Sequence, residues 1–326
     1  MKEKYKYKSD IKDLLQSYLS QKQMSGFKFE NQKRELEKFD DYYYRKGYRG
    51  IRLTKSMVNR FIYGCSYEKQ STYCKKEILL NSFAEFLILQ GHSVYVPPIK
   101  SAPVKRHTHI PYIFSKEQLR RFFLAIDNYP QSSLTNRNLV DPVLFRLLYG
   151  CGLRISEALN LKLKDIDLKT GTLTILCAKN NRDRLVPVAG SLIEMLEKLL
   201  SELHTFSDQS EYFFTSSTGK RLDETIVFRR IQDYLLMADI SYTKNGPRIH
   251  DLRHTYCCHC LKKWVLKGQD LTNLLPYLAA YVGHTDFSGT QYYLRLTADL
   301  YPDIIGKIEA TSGYLIPEEV NHEENK

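Results

Sequence analysis

Apolar residues recur at three- and four-residue steps through most of this chain, the spacing that gathers side chains on one face of a helix. Over residues 10 to 92 the pattern predicts four helices, around Ile11 to Gln21, Phe27 to Arg45, Thr54 to Ile62 and Gln70 to Gln90. The last has the clearest stripe, formed by Ile78, Leu79, Phe83, Phe86, Leu87 and Leu89. From Val94 to Pro111 the period disappears and four prolines enter, which marks a boundary between domains.

Helical spacing returns beyond that boundary. Ser115-Lys116-Glu117-Gln118 has the form of a capping box, with the apolar face of Leu119 to Ile126 behind it. Leu139 to Tyr149 predicts a long apolar helix that ends at Gly150-Cys151-Gly152, and a short helix starts at about Arg154. Thr172 to Cys177 and Arg184 to Val188 are rich in β-formers and flank Lys179-Asn180-Asn181-Arg182-Asp183, so they predict a hairpin. Further helices are expected at about Leu192 to Leu203, Asp223 to Met237, His250 to Leu266, Leu271 to Val282 and Thr290 to Leu296. The fold class is mainly α. It comprises a helical domain over 1–95, a basic Pro-rich linker over 96–112, a mostly helical domain with one small antiparallel sheet over 113–302, and a tail over 303–326.

Charge changes this picture more than composition does. Hydrophobic content of 43% and charged content of 26% are ordinary for a globular chain, but the net charge is +11. Residues 1 to 110 hold 22 Lys and Arg against 11 Asp and Glu, and the remainder holds 26 of each. A basic domain joined to a neutral one suits a protein whose first part grips a polyanion while its second part acts on it; a well-solvated surface is the alternative. Within the basic part, Tyr42 to Arg52 interleaves aromatics with Arg45, Lys46, Arg49 and Arg52. Such a stretch fits a phosphate backbone, and equally a solvated helix end with core tyrosines. Lys100, Lys105 and Arg106 in the extended linker would let two domains close round an anionic rod.

The first residues lack the apolar core of a signal peptide, and no run approaches the ~18 apolar residues that span a bilayer. A cytoplasmic protein without a membrane partner is expected. Seven cysteines, at 65, 74, 151, 177, 257, 258 and 260, fit reduced thiols better than a disulfide framework. The cluster His254, Cys257, Cys258, His259 and Cys260 invites a zinc reading. Consecutive ligands on one helix point in different directions, however, and no second cluster completes a tetrahedron, so no metal is expected.

Candidate chemistry centres on Val282-Gly283-His284 and the adjacent Tyr292 and Tyr293, which follow His250-Asp251-Leu252-Arg253 by one helical stretch. A phenol, with a pKa near ~10, is a weak nucleophile unless cations and a proton acceptor favour its anion. Histidines and an arginine supply both. Arg154 opens a helix with Glu157 one turn on, so the carboxylate can brace the guanidinium or a nearby histidine, and His250 and Arg253 share a face in the same way. Two separately sited guanidiniums match the oxygens of one phosphate. Taken singly, Arg-x-x-Glu and His-x-x-Arg are usually surface salt bridges, and any one Tyr is usually a packing residue.

In this order the pieces resemble the tyrosine recombinase (phage integrase) family from about Pro111 to Pro302. Gly150 to Glu157 is similar to its first arginine box, Lys179 to its β-hairpin lysine, His250 to Arg253 to its His-x-x-Arg box, and Gly283-His284 to its Gly-His pair. Tyr293 stands where the family has its nucleophile. Tyr292 is one register step away, and His254 is taken as a packing residue. The resemblance implies a helical, SAM-like core-binding domain ahead of the catalytic domain, and a site made of Arg154, Lys179, His250, Arg253, His284 and Tyr293 with Glu157 as orienter.

It also implies cleavage through a 3′-phosphotyrosyl link, without metal, ATP or other cofactor. The DNA-binding set would be Arg45, Lys46, Arg49, Arg52, Lys105 and Arg106. The implied partners are double-stranded DNA with inverted half-sites, a dimer on each site, a tetramer in the synapse, and an accessory directionality factor or partner recombinase. Nucleoid association would follow.

A type IB topoisomerase, acting alone on one duplex, and a catalytically inactive DNA-binding accessory protein are the competing readings. No separate arm-type DNA-binding domain is expected ahead of the helical one, which points to simple sites and to an Xer-like or mobile-element role. The acidic end of the tail follows Ile304, Ile305, Ile308, Leu315 and Ile316. These would dock on a neighbouring subunit, or the tail is a disordered end.

Overall fold

The structure, a computed structural model, describes residues 5–26, 29–101, 110–132, 134–176, 183–205, 207–243, 246–284, 292–294 and 296–297. Lys105, Arg106, Lys179, the tail, and Thr290, Gln291 and Arg295 of the helix expected at Thr290 to Leu296 lie outside the described residues. The chain divides into two compact units, Met1–Thr108 and His109–Lys326.

The first unit contains α1 (Lys12–Met24), α2 (Glu30–Arg45), α3 (Lys55–Tyr63) and α4 (Gln70–Leu89). Thr54 starts α3 by accepting the Met57 N–H on its hydroxyl at 3.3 Å. Leu15, Tyr18, Phe39, Tyr43, Val58 and Phe83 form the core. The stripe expected on α4 is displaced: Leu80 and Ala84 are fully buried, whereas Ile78 and Leu89 are 49% and 83% exposed. This helix packs against both α1 and α3, so its buried arc is wider than a single stripe and is turned toward Leu80 and Phe83. Even Lys76 and Glu77 fall inside it. Lys76 meets Glu68 at 2.7 Å, and Glu77 accepts from Tyr63 Oη, from the Ser101 N–H at 2.9 Å and from the Ser101 hydroxyl at 3.0 Å.

The tyrosines of the basic stretch divide by position. Tyr43 is fully buried and donates to the Gly50 carbonyl at 2.6 Å, and Tyr42 packs against Phe39 and Phe61. Arg45, Lys46, Arg49 and Arg52 are exposed around them.

In the second unit, α5 (Lys116–Asp127) begins with the expected capping box: the Ser115 hydroxyl accepts the Gln118 N–H at 3.1 Å, and Gln118 Oε1 accepts the Ser115 N–H at 2.9 Å. Then come α6 (Arg137–Gly150) and α7 (Ile155–Leu159), followed by strands β1 (Ile166–Asp167), β2 (Thr172–Ile175) and β3 (Arg184–Pro187). These strands form an antiparallel sheet in the order β1-β2-β3, with Leu173 opposite Val186 and Ile175 opposite Arg184. Helices α8 (Gly190–Leu203), α9 (Glu224–Met237), α10 (Ile249–Leu266) and α11 (Leu271–Val282) complete the unit.

Helix α6 is the central element, packed against α5, α8 and α10. Its Asp141 is fully buried and is met by Arg230 of α9 at 2.7 Å and by the Tyr234 hydroxyl at 2.6 Å. Arg137 donates to the same Tyr234 oxygen at 2.7 Å and lies 3.8 Å over the Tyr129 ring. Every charge in this network has a partner, which is the condition for a buried ion pair to be tolerated. A second core joins α10 to α11 through Cys257, Leu261, Leu275 and Val282, and it encloses Tyr293 and Leu294. No helix among the described residues is long and apolar enough to cross a membrane.

Candidate active site

The site is organised by the C-terminal end of α11. The last carbonyls of a helix have no partner within it and carry its negative dipole end, so they attract cations. Here three consecutive carbonyls each receive an arginine. Arg184 Nε donates to Tyr281 O at 2.9 Å, Arg253 to Val282 O at 2.5 Å and Arg154 to Gly283 O at 3.0 Å. Gly283 makes the cluster possible by taking a left-handed turn at φ +71°, where an added Cβ would lie 2.8 Å from an Arg184 nitrogen.

Glu157 holds two of these arginines. Its Oε1 accepts from Arg154 at 2.6 Å, and both its oxygens accept from Arg184, at 3.1 and 2.9 Å. Burial would raise its pKa, but the Arg184 hydrogen bonds, the Arg154 N–H and the two positive charges outweigh it and hold the carboxyl at about 2. The sequence offers Arg154 or a histidine as the partner of this carboxylate; the structure shows Arg154 and adds Arg184, which the sequence marks only within the β-hairpin. Its pairing with Ile175 in the sheet aims it at α11, a placement that depends on tertiary register.

Arg253 is 1% exposed and spans two chain segments, with its second nitrogen on the Gly152 carbonyl at 2.7 Å. Burial lowers its pKa, and the nearby Arg154 charge lowers it further. Gly152, at φ +58°, is required as glycine because a Cβ would meet the Tyr256 ring at 2.8 Å.

Tyr293 lies against this cluster and is only 3% exposed. Burial, then the neighbouring Cys257, pushes its pKa up, while Arg253 opposes them, so the phenol is protonated at rest. One side of its ring stacks on His284, with centroids 5.7 Å apart and planes 13° from parallel. Its hydroxyl is 2.8 Å from His254 Nδ1. His254, expected from sequence to pack, is therefore in direct contact with the phenol oxygen. His250 stands edge-on to His254 at a centroid separation of 4.6 Å and is exposed. Tyr292 borders the same core, with its ring 6.0 Å from that of Tyr293. Of the residues expected in the site, Arg154, Glu157, Arg253, His284 and Tyr293 come together directly, and His250 reaches Tyr293 through His254. Cys257 and Cys258 face the core as small apolar groups.

Three guanidiniums, imidazoles and a buried phenol gather around one helix end, on a mostly helical domain with a small sheet, and groups of these kinds can bind a phosphate and present a nucleophile to it. The phage integrase family pattern matches residues 113–299, and the chain belongs to that family. It is 29% identical over 310 residues to y4rB of Sinorhizobium fredii, a protein of the integrase/recombinase type, covering 92% of this chain and 98% of that one. It is 32% identical over 192 residues to the tyrosine recombinase XerA of Pyrococcus furiosus, covering 58% and 59%. In fold it is similar to the XerH site-specific recombinase bound to palindromic difH substrate, with a TM-score of 0.61 and 20% identity over 85% of this chain and 78% of that one.

Proposed function

We propose that this chain is a tyrosine-type site-specific DNA recombinase that cuts and rejoins strands through a covalent 3′-phosphotyrosyl intermediate. The observation that carries the reading is the anchoring of Arg154 and Arg253 on the adjacent carbonyls of Gly283 and Val282, beside the Tyr293 phenol. The carbonyls and Glu157 fix both guanidiniums before substrate arrives. Preorganised donors of this kind stabilise charge that develops on the non-bridging oxygens of a phosphate under attack. His284 adds a hydrogen bond there, and His250 takes part in acid and base chemistry toward Tyr293, which it reaches through His254.

Tyr293 is the nucleophile. Its oxygen forms a bond to phosphorus, the bond to the 5′ oxygen breaks, and the 5′ oxygen takes a proton from Lys179, a role that rests on the family resemblance. The new link keeps the energy of the phosphodiester, so rejoining needs only a 5′-hydroxyl. Arg45, Lys46, Arg49, Arg52, Lys105 and Arg106 hold the DNA backbone. The partners are duplex DNA with inverted half-sites and further copies of this chain, as a dimer on each site and a tetramer in the synapse. The protein works where that DNA lies, in the cytoplasm and on the nucleoid, in an Xer-like or mobile-element setting.

Incubation with a nicked suicide substrate tests the reading. A denaturant-stable protein–DNA adduct that forms in the presence of chelator and is lost in Tyr293→Phe supports it. Intact DNA binding without any adduct overturns it and favours an accessory DNA-binding protein, and relaxation of supercoiled plasmid lacking a recognition site favours a topoisomerase.

A further inference from the structure

A buried nucleophile cannot release its proton to bulk water, so an acceptor in contact with it must take the proton. Tyr293 is 3% exposed, and His254 Nδ1 lies 2.8 Å from its hydroxyl. When the hydroxyl donates this bond, Nδ1 carries the lone pair and Nε2 carries the hydrogen. We propose that His254 is a catalytic residue of the strand-cleavage reaction, with its Nδ1 taking the Tyr293 proton during attack and returning it during rejoining. The assignment rests on the recombinase reading above.

The surroundings decide when this transfer is favourable. His254 touches the Tyr293 hydroxyl and stands edge-on to His250; Tyr293 in turn stacks on His284 and is influenced by Cys257, Arg253 and Cys258, and Arg154 and Glu157 act on Arg253. A bound phosphodiester brings negative charge beside the imidazole, which favours its protonated form. Proton transfer is thereby coupled to DNA: without substrate the phenol stays protonated, and with it His254 can carry the charge. His250, edge-on to His254 and exposed, gives that charge a polar neighbour at the mouth.

The step balances. The Tyr293 O–H bond breaks, its proton goes to His254 Nδ1, and the oxygen lone pair forms the bond to phosphorus. The electron pair of the broken bond leaves on the 5′ oxygen, which is protonated by Lys179. Rejoining reverses each transfer.

His254→Asn separates this role from packing, because the amide oxygen stands near the position of Nδ1 and accepts a hydrogen bond but does not titrate. In single-turnover cleavage of the suicide substrate, His254→Asn binds DNA as the wild type does and cleaves about 10²-fold more slowly. The wild-type rate rises with pH as the imidazole loses its proton, and this rising limb is flattened in the variant. Replacing the bridging 5′ oxygen by sulfur makes a leaving group that needs no proton. That substrate restores Lys179→Ala and leaves His254→Asn slow, and free imidazole recovers part of the activity of His254→Ala.

Cleavage by His254→Asn within about twofold of wild type with the same pH profile overturns the assignment, as does its rescue by the sulfur substrate. A wild-type protein that forms no adduct overturns the recombinase reading and this assignment together. A wild-type adduct with an unaffected variant overturns the assignment alone.

Discussion

Arg154 and Arg253 end on neighbouring carbonyls, those of Gly283 and Val282, although they enter from different helices. The turn that presents these carbonyls is left-handed at Gly283, and a Cβ there would lie 2.8 Å from Arg184. Gly283→Ala should therefore cost more than its backbone strain, about 1 kcal/mol, and should lower adduct formation on the suicide substrate. Gly268→Ala is the control. Gly268 has a similar φ of +66° with nothing within 4 Å of an added Cβ, so it bears the strain alone. Urea unfolding of both variants, with cleavage assays alongside, checks the difference.

Glu157 supports a second prediction, because one carboxylate holds Arg154 and Arg184 together. Replacing it by Gln leaves two guanidiniums close to one another without their shared counter-charge, at a cost of about 3 kcal/mol. The same contacts lower the carboxyl pKa in the folded protein from 4.5 to about 2. A depressed carboxylate stabilises the fold fully above its unfolded value and loses that contribution as pH falls through its folded one. The stability gap between wild type and Glu157→Gln should be widest above pH 4.5 and close toward pH 2, as followed by denaturant unfolding at stepped pH.

The basic stretch of the first unit yields a prediction about DNA alone. Arg45, Arg49 and Arg52 are exposed, and their ion pairs among the described residues, Arg45 with Asp41 at 2.9 Å and Arg49 with Asp10 at 3.9 Å, are on the surface and worth little. Tyr43 keeps the local fold from inside the core. The triple variant Arg45→Ala, Arg49→Ala, Arg52→Ala should melt as the wild type does but bind DNA more weakly. Its plot of log affinity against log salt should be shallower by about 0.9 for each phosphate contact removed. An unchanged slope would remove these residues from the DNA-binding surface.

Much of this architecture can be read from local pattern, and the exceptions share a cause. Helix α5 is legible because Ser115 and Gln118 cap it and Leu119, Phe122 and Ile126 recur on one face. Strand β1 has two residues, too few to show any period. On α4 the stripe is misplaced because two neighbouring helices bury it from both sides, which erases the one-sided contrast that periodicity measures. Arg154, Arg253 and His284 stand out by motif and spacing. Arg184 and His254 do not, because strand register aims the first at Glu157 and tertiary packing sets Tyr293 against the second. Contacts between segments far apart in sequence leave no mark on the local pattern of either.

Arg253 gives the sharpest test of geometry against charge. Its guanidinium is 1% exposed and reaches two carbonyls on separate segments, Gly152 O at 2.7 Å and Val282 O at 2.5 Å. A lysine keeps the positive charge but is a single point donor on a flexible stem, and it cannot hold both carbonyls while facing a phosphate. Arg253→Lys should leave one buried carbonyl unpaired, lowering stability by about 1–3 kcal/mol. Loss of the two-pronged donor should slow single-turnover cleavage by about 10²–10³-fold, with DNA affinity held by the basic first unit nearly unchanged. Chemical unfolding, gel-shift binding and adduct formation measured on one preparation separate the three effects. If Arg253→Lys cleaves at the wild-type rate, charge alone suffices, and the anchoring at the end of α11 is not what equips the site to act on a phosphate.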